Sequence, residues 1–84
     1  MVELSDSTIR ARARLADALA LVIEADPRVR RWRRIEFAED GGVVVVVELN
    51  SDPSGIAGEI VARELEFAAA MTLRQLTWVR VQVA

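Results

Sequence analysis

The sequence predicts a small α+β domain, a two-layer sandwich in which two helices cover one face of a three-stranded sheet. Two segments carry apolar residues at spacings of three and four, a Gly-Gly pair separates two segments of β character, and the last residues alternate. The predicted element order is αββαβ. The 84 residues, 1–84, are expected to form one domain.

The first helix is predicted over residues 5–25. Ser5, Asp6 or Ser7 can accept the free N–H groups of its first turn, and Pro27 disfavours helical geometry at the residue before it. We therefore expect the helix to end near Ala25. Its apolar positions are Ala11, Leu15, Ala18, Leu19 and Val22.

A β-hairpin follows the first helix. Residues 31–39 alternate in polarity, Asp40-Gly41-Gly42 has the composition of a three-residue turn, and residues 43–49 are mostly β-branched. This turn places polar residues opposite polar ones and apolar residues opposite apolar ones. The expected pairs are Arg34 with Glu48, Ile35 with Val47, and Phe37 with Val45.

A second helix and a third strand complete the chain. Asp52 is a candidate cap and Pro53 suits the first helical position, so the helix is expected to start there and to end near Met71. Its expected apolar face consists of Ile56, Ile60, Val61, Leu65, Phe67 and Ala68. Residues 76–83 then alternate as a strand does.

The connection rules predict how the strands are arranged. A right-handed crossover through the second helix makes the third strand parallel to the second. We expect the third strand to lie beside the first, so that the sheet has order 2-1-3 and is antiparallel throughout, with both helices on one face. The expected helix-side core is Ile35, Phe37, Val43, Val45, Val47, Leu49, Val79, Val81 and Val83.

The other face of the sheet, here called the open sheet face, has no helix left to cover it. An apolar patch rimmed by charges is typical of a protein interface, and we predict one on this face. Its expected residues are Trp32, Arg34, Val44, Val46, Trp78 and Arg80. Two other interpretations remain: arginines that shield the tryptophans by cation–π contacts, and stacking of a ligand or nucleic acid.

A run of five arginines surrounds Trp32, at Arg28, Arg30, Arg31, Arg33 and Arg34. A basic run with an aromatic residue is typical of single-stranded RNA binding. The isoelectric point of about 5.1 argues against this function, as does strand alternation, which sends Arg31 and Arg33 to the face opposite Arg34. Capping of the first helix by Arg30 and Arg31 is the structural alternative.

The composition argues against catalysis. Histidine, cysteine, tyrosine and lysine are absent, and these residues supply most general bases, nucleophiles and transition-metal ligands. The carboxylates Glu59 and Glu66 lie on one helical face, but nothing near them indicates a cleft, so we interpret them as solvated charges. Gly55 and Gly58 have the GxxG spacing of KH domains, and a helix start is the simpler interpretation. No enzyme activity, cofactor or metal is expected.

The chain is expected to be cytoplasmic. Its longest uncharged stretches are seven residues, at 41–47 and 67–73, whereas about 20 are needed to cross a bilayer. Acidic residues near the N-terminus do not fit a secretory signal.

Three segments of the sequence resemble the cytoplasmic C-terminal domain of cation diffusion facilitators. They are Ala25-Asp26-Pro27-Arg28-Val29, Val47-Glu48-Leu49-Asn50-Ser51-Asp52 and Val79-Arg80-Val81-Gln82-Val83. The resemblance implies a small αββαβ module for dimerisation and regulation that binds divalent metal through histidine and acidic residues. Because every histidine is missing, only dimerisation carries over. The Asp26-Pro27-Arg28-Val29 turn is also similar to the KH-like ribosome-binding factor A, whose fold has an additional helix.

The sequence thus predicts a noncatalytic domain that binds protein, either itself as a homodimer or another chain, through the open sheet face. A single-stranded RNA-binding module is the first alternative. A designed protein with no biological function is the second. No membrane partner is expected.

Overall fold

The computed structural model of the chain describes residues 6–50 and 56–84. The elements are α1 (Asp6–Glu24), β1 (Val29–Phe37), β2 (Val43–Leu49), α2 (Ile56–Thr72) and β3 (Val79–Val83). The predicted order αββαβ is therefore confirmed. The predicted helix start at Asp52 and Pro53, and Gly55 of the GxxG spacing, lie outside the described residues.

Both helices pack on one face of the sheet, and the core lies between the two layers. Leu19 and Ile23 of α1 are completely buried, and Leu65 of α2 is 2% exposed. Burying one such side chain stabilises the folded protein by about 1.5–3 kcal/mol. All nine sheet residues predicted for the helix side are in this core or packed against it.

The strand order differs from the prediction. The order is β1-β2-β3, with β3 parallel to β2, so the sheet is mixed rather than antiparallel throughout. The composition of the strands explains this order. A run of five valines in β2 suits a central strand with neighbours on both sides, whereas the arginine-rich β1 suits an edge, since charged side chains discourage pairing with other chains.

The hairpin turn lies one residue earlier than predicted. Its loop is 39–41, because the Ala38 N–H donates to the Gly42 carbonyl at 2.9 Å and the Gly41 N–H to the Ala38 carbonyl at 3.3 Å. Gly41 has a φ of 90° and holds the left-handed position that ends a three-residue loop. The turn shifts by one residue relative to both strands, so residues 34–37 keep their predicted faces. Ile35 consequently pairs with Val45 instead of Val47.

Two irregularities in β1 change the register further. The pairing shifts between Val29 and Arg31 and again between Trp32 and Arg34. The predicted pairing of Arg34 with Glu48 is therefore wrong, and Glu48 lies opposite Arg31. Such bulges insert an extra residue and reverse the alternation of faces beyond it.

The core-facing side of α2 also differs from the prediction. Ile60 and Phe67 were expected to face the core, but they are 52% and 69% exposed. The buried positions are Ala62, Leu65 and Ala69. Alanine at two of these three positions lets the helix backbone lie close to the valine-filled sheet.

Candidate protein interface

Three rows of side chains make up the open sheet face. The strand pairing places Glu36, Val44 and Arg80 in one row, Arg34, Val46 and Gln82 in the next, and Arg31 with Glu48 in the third. Val44 and Val46 are partly exposed, whereas their neighbours along β2 are buried on the helix side. Half-buried valines on the central strand are thus bordered by charged residues.

The bulge at Arg33 determines which arginines reach this face. Both Arg31 and Arg33 contact Glu48, the latter at 3.4 Å, and Arg34 pairs with Glu36 at 3.1 Å. The hydrogen bond from Arg31 is the main reason that the pKa of Glu48 lies below its ordinary value. Sequence alternation predicted Arg31 and Arg33 on the opposite face from Arg34, which is wrong, because a bulge puts two successive residues on one side.

Trp32 lies away from the other predicted interface residues. It is in register with Val47, whose side chain belongs to the helix-side core. Because directly paired residues point to the same face, Trp32 is on the helix side of the edge strand, where it remains 37% exposed.

Trp78 stands at the end of the open sheet face, beside the hairpin loop. Its indole N–H donates to Oδ2 of Asp40 at 2.7 Å, and its ring lies against Gly42, where any Cβ would overlap it. Thr77 adds a hydrogen bond from its hydroxyl to the Asp40 carbonyl at 3.0 Å. These contacts attach the start of β3 to the β1–β2 turn.

Four of the six predicted interface residues therefore share the open sheet face, namely Arg34, Val44, Val46 and Arg80. Trp78 borders it and Trp32 does not. Among the described residues, the cation–π contact is that of Arg12 with the Phe37 ring, at 5.5 Å. The predicted shielding of the tryptophans by arginines is therefore not found in this part of the chain.

The beginning of the arginine run has a structural role. Arg28 pairs with Asp26 at 2.6 Å and with Glu64 of α2 at 3.3 Å, so it connects the end of α1 to the second helix. The hydrogen bond from Arg28 is the main reason that the pKa of Asp26 lies below its ordinary value. The predicted contact with Asp26 is therefore made by Arg28 and not by Arg31, which pairs with Glu48.

An apolar stripe on the outer side of α2 was missed by the sequence reasoning. Ile60, Phe67 and Met71 are 52%, 69% and 56% exposed, and their spacings of seven and four residues place them on one helical face. That spacing was visible in the sequence. It was misassigned because an apolar stripe on a helix is normally its core-facing side.

Glu66 covers part of the free edge of β3. Its Oε2 accepts the backbone N–H of Val81 at 3.0 Å, and Arg63 holds the same oxygen at 2.6 Å. Val81 would otherwise present an unpaired donor at the edge of the sheet. Beside this contact, a cleft of about 400 Å³ lies between α2 and β3, with Gly58 and Ala62 on its helix side.

The described residues contain no group of three or more histidine, cysteine or acidic side chains that could hold a metal ion. Within the same part of the chain, no helix is long and apolar enough to cross a membrane.

Two helices on one side of a mixed sheet, in the order αββαβ, are the fold of the cytoplasmic C-terminal domains of cation diffusion facilitators. The resemblance stated from the sequence is thus confirmed at the level of the fold.

Forms of the MamM C-terminal domain are among the solved structures that match this chain. A substituted form has a TM-score of 0.80 at 10% identity, over 89% of this chain and 94% of that one. A copper form has a TM-score of 0.78 at 10% identity, over 87% of this chain and 95% of that one. A nickel form has a TM-score of 0.77 at 11% identity, over 86% and 95%. No protein-family model and no curated protein matches this chain.

Proposed function

We propose that this chain is a noncatalytic domain that binds protein, a second copy of itself or another chain, through the open sheet face. The observation that carries this proposal is the position of Val44 and Val46, two partly exposed apolar residues on the central strand, with both helices on the opposite side. An apolar centre with a charged rim is the composition of a protein interface.

The fold supports the same function. The resemblance to cation diffusion facilitator C-terminal domains implies dimerisation, and this part of the family role needs no histidine. Metal sensing does not carry over, because the chain has no histidine or cysteine. The lack of these residues and of lysine and tyrosine also supports a role without covalent or acid–base catalysis.

The test replaces Val44 and Val46 by threonine, which keeps the β-branched shape while adding a hydroxyl to each side chain. We expect the double variant to keep its circular dichroism spectrum and to associate more weakly in sedimentation velocity. Leu21→Thr, at a 72% exposed position of α1, is the matched control for loss of an exposed apolar side chain. Association equal to that of the wild type would contradict the open sheet face as the surface of self-association.

The outer stripe of α2 offers a second surface, for self-association in particular. Phe67 and Met71 are the most exposed large apolar side chains among those that the structure describes on this helix, and the charge of neighbouring Glu64 is balanced by Arg28. Two copies of the stripe can therefore meet without strong like-charge repulsion. Phe67→Ser with Met71→Ser would then produce a monomer, while the threonine variant of β2 would leave the dimer intact.

Single-stranded RNA binding remains the rival function. It is less well supported, because Arg28, Arg31 and Arg33 contact carboxylates and Trp32 lies on the helix side. If RNA is the ligand, its affinity falls steeply with salt, and neutralising Arg30, Arg31 and Arg34 together abolishes binding in an anisotropy assay. Absence of binding at low salt eliminates the rival. A designed chain without biological function would bind neither RNA nor protein.

A further inference from the structure

The irregularities in β1 place several arginines on one face of a protein whose net charge is negative. The whole chain has a net charge of −2. The open sheet face nevertheless carries four arginines against two glutamates. The arginines are Arg31, Arg33, Arg34 and Arg80, and the glutamates are Glu36 and Glu48.

The internal ion pairs do not neutralise this face. Arg31 and Arg33 share the single carboxylate of Glu48, and Arg34 uses Glu36. Arg80 is exposed and forms no ion pair with any described residue. Positive charge therefore remains on both sides of the central valines.

A depression of about 370 Å³ lies in this face and is lined by Arg33, Arg34, Val46 and Ala84. Its lining thus combines two arginines with two apolar residues. A guanidinium binds a carboxylate through paired N–H donors, and an apolar floor accommodates the methylene groups that carry that carboxylate.

We propose that the open sheet face binds an acidic peptide segment of a partner protein, with a carboxylate side chain in the depression between Arg33 and Arg34. This inference rests on the proposed function, that the face binds protein. It adds the chemical nature of the partner.

The charges favour an acidic partner over a second copy bound by the same face. In a symmetric dimer the positive face of one copy would meet the positive face of the other, and juxtaposed like charges destabilise an interface. An acidic segment removes that repulsion and adds charge-assisted hydrogen bonds.

The side chains also favour peptide over nucleic acid. Bases stack on aromatic rings, and the centre of this face holds Val44 and Val46. Trp32 is on the helix side. Trp78 precedes β3 and is four residues from Gln82, which lies in the row of Val46 and the depression; this is about 13 Å at the rise of a strand.

The test measures fluorescence anisotropy of a labelled peptide of alternating glutamate and valine, with a glutamine–valine peptide and single-stranded poly-U as comparison probes. We expect the wild-type chain to bind the acidic peptide, with weakening at higher salt. Arg33→Gln with Arg34→Gln is expected to weaken binding by at least about tenfold, because losing a single charge-assisted hydrogen bond has that effect and the variant removes two guanidinium groups.

Arg14→Gln with Arg74→Gln is the matched control. It removes the same net charge from two exposed positions outside the sheet and is expected to leave peptide affinity unchanged. Three results would each overturn the proposal: an equal loss of peptide affinity in both double variants, equal affinity for the glutamine and glutamate peptides, or tighter binding of poly-U than of the acidic peptide.

The same experiments distinguish failure of this proposal from failure of the proposed function. If the acidic peptide does not bind but threonine at Val44 and Val46 weakens association, the face is an interface whose partner is not acidic. If neither result is obtained, both proposals are wrong.

Discussion

The indole nitrogen of Trp78 lies 2.7 Å from Oδ2 of Asp40, and its N–H donates to that carboxylate. The two residues are 38 positions apart in the chain. Oδ1 of the same carboxylate accepts the N–H of Gly42 at 3.1 Å. Asp40 thus holds together the hairpin turn and the start of β3, the two parts of the molecule at this end of the open sheet face.

This carboxylate makes folding stability depend on pH. The hydrogen bond from Trp78, followed by that from Gly42, holds the pKa of Asp40 below its ordinary value. Because the folded pKa is below the unfolded one, the stabilisation is complete above about pH 4 and is lost as the pH falls through the folded pKa. We expect Asp40→Asn to be less stable than the wild type at pH 7. The gap between their urea midpoints should shrink below about pH 4, and a gap that does not change with pH would contradict this role.

Gly42 is needed because the Trp78 ring occupies the space of a side chain. We expect Gly42→Ala to displace the ring, break its hydrogen bond to Asp40 and shift the fluorescence of Trp78 in a Trp32→Phe background. Gly41→Ala is the matched control. It should cost about 1–2 kcal/mol, because Gly41 has a positive φ, without an equal shift in fluorescence. Identical spectra for both variants would argue against contact between the ring and Gly42.

The rotation of α2 can be tested with two neighbouring residues. Leu65 is 2% exposed and Phe67 is 69% exposed. Leu65→Ala is expected to lower the free energy of unfolding by about 2–5 kcal/mol, through lost burial and a cavity. Phe67→Ala should change it by no more than about 0.5 kcal/mol in the monomer. Denaturant unfolding measures both changes. A larger loss of stability in Phe67→Ala than in Leu65→Ala would instead support the core face predicted from the sequence.

Glu66 is expected to prevent pairing at the edge of β3. Glu66→Ala exposes the N–H of Val81, and free edge donors recruit other strands, so we expect association beyond that of the wild type in sedimentation velocity. Glu66→Gln keeps an acceptor oxygen at the same place and should behave as the wild type does. If the alanine and glutamine variants associate equally, the carboxylate does not protect this edge.

Several features of the fold could be predicted because they depend on neighbouring residues. The valine run of β2 was predicted with its observed bounds, Val43–Leu49. The nine strand residues predicted for the helix side also lie there, although the turn was placed one residue late. Moving a turn by one residue shifts both strands equally and preserves which side chains share a face.

The candidate site was only partly predictable. Val44, Val46 and Arg80 follow strict alternation and lie where the sequence placed them. Trp32 and Arg33 do not, because the bulges interrupt the alternation. No residue type in that arginine run marks the bulges, so the convergence of charges on the open sheet face was missed.

The sequence by itself determined the five elements, their order and nine helix-side residues of the strands, since periodicity and turn chemistry act over a few residues. Only the tertiary structure decided that β3 lies beside β2, that α2 faces the sheet with its alanines, and that the arginines gather on one face. These features depend on how whole surfaces fit together. A valine-rich strand is buried best with neighbours on both sides, and small residues allow the closest approach of helix to sheet.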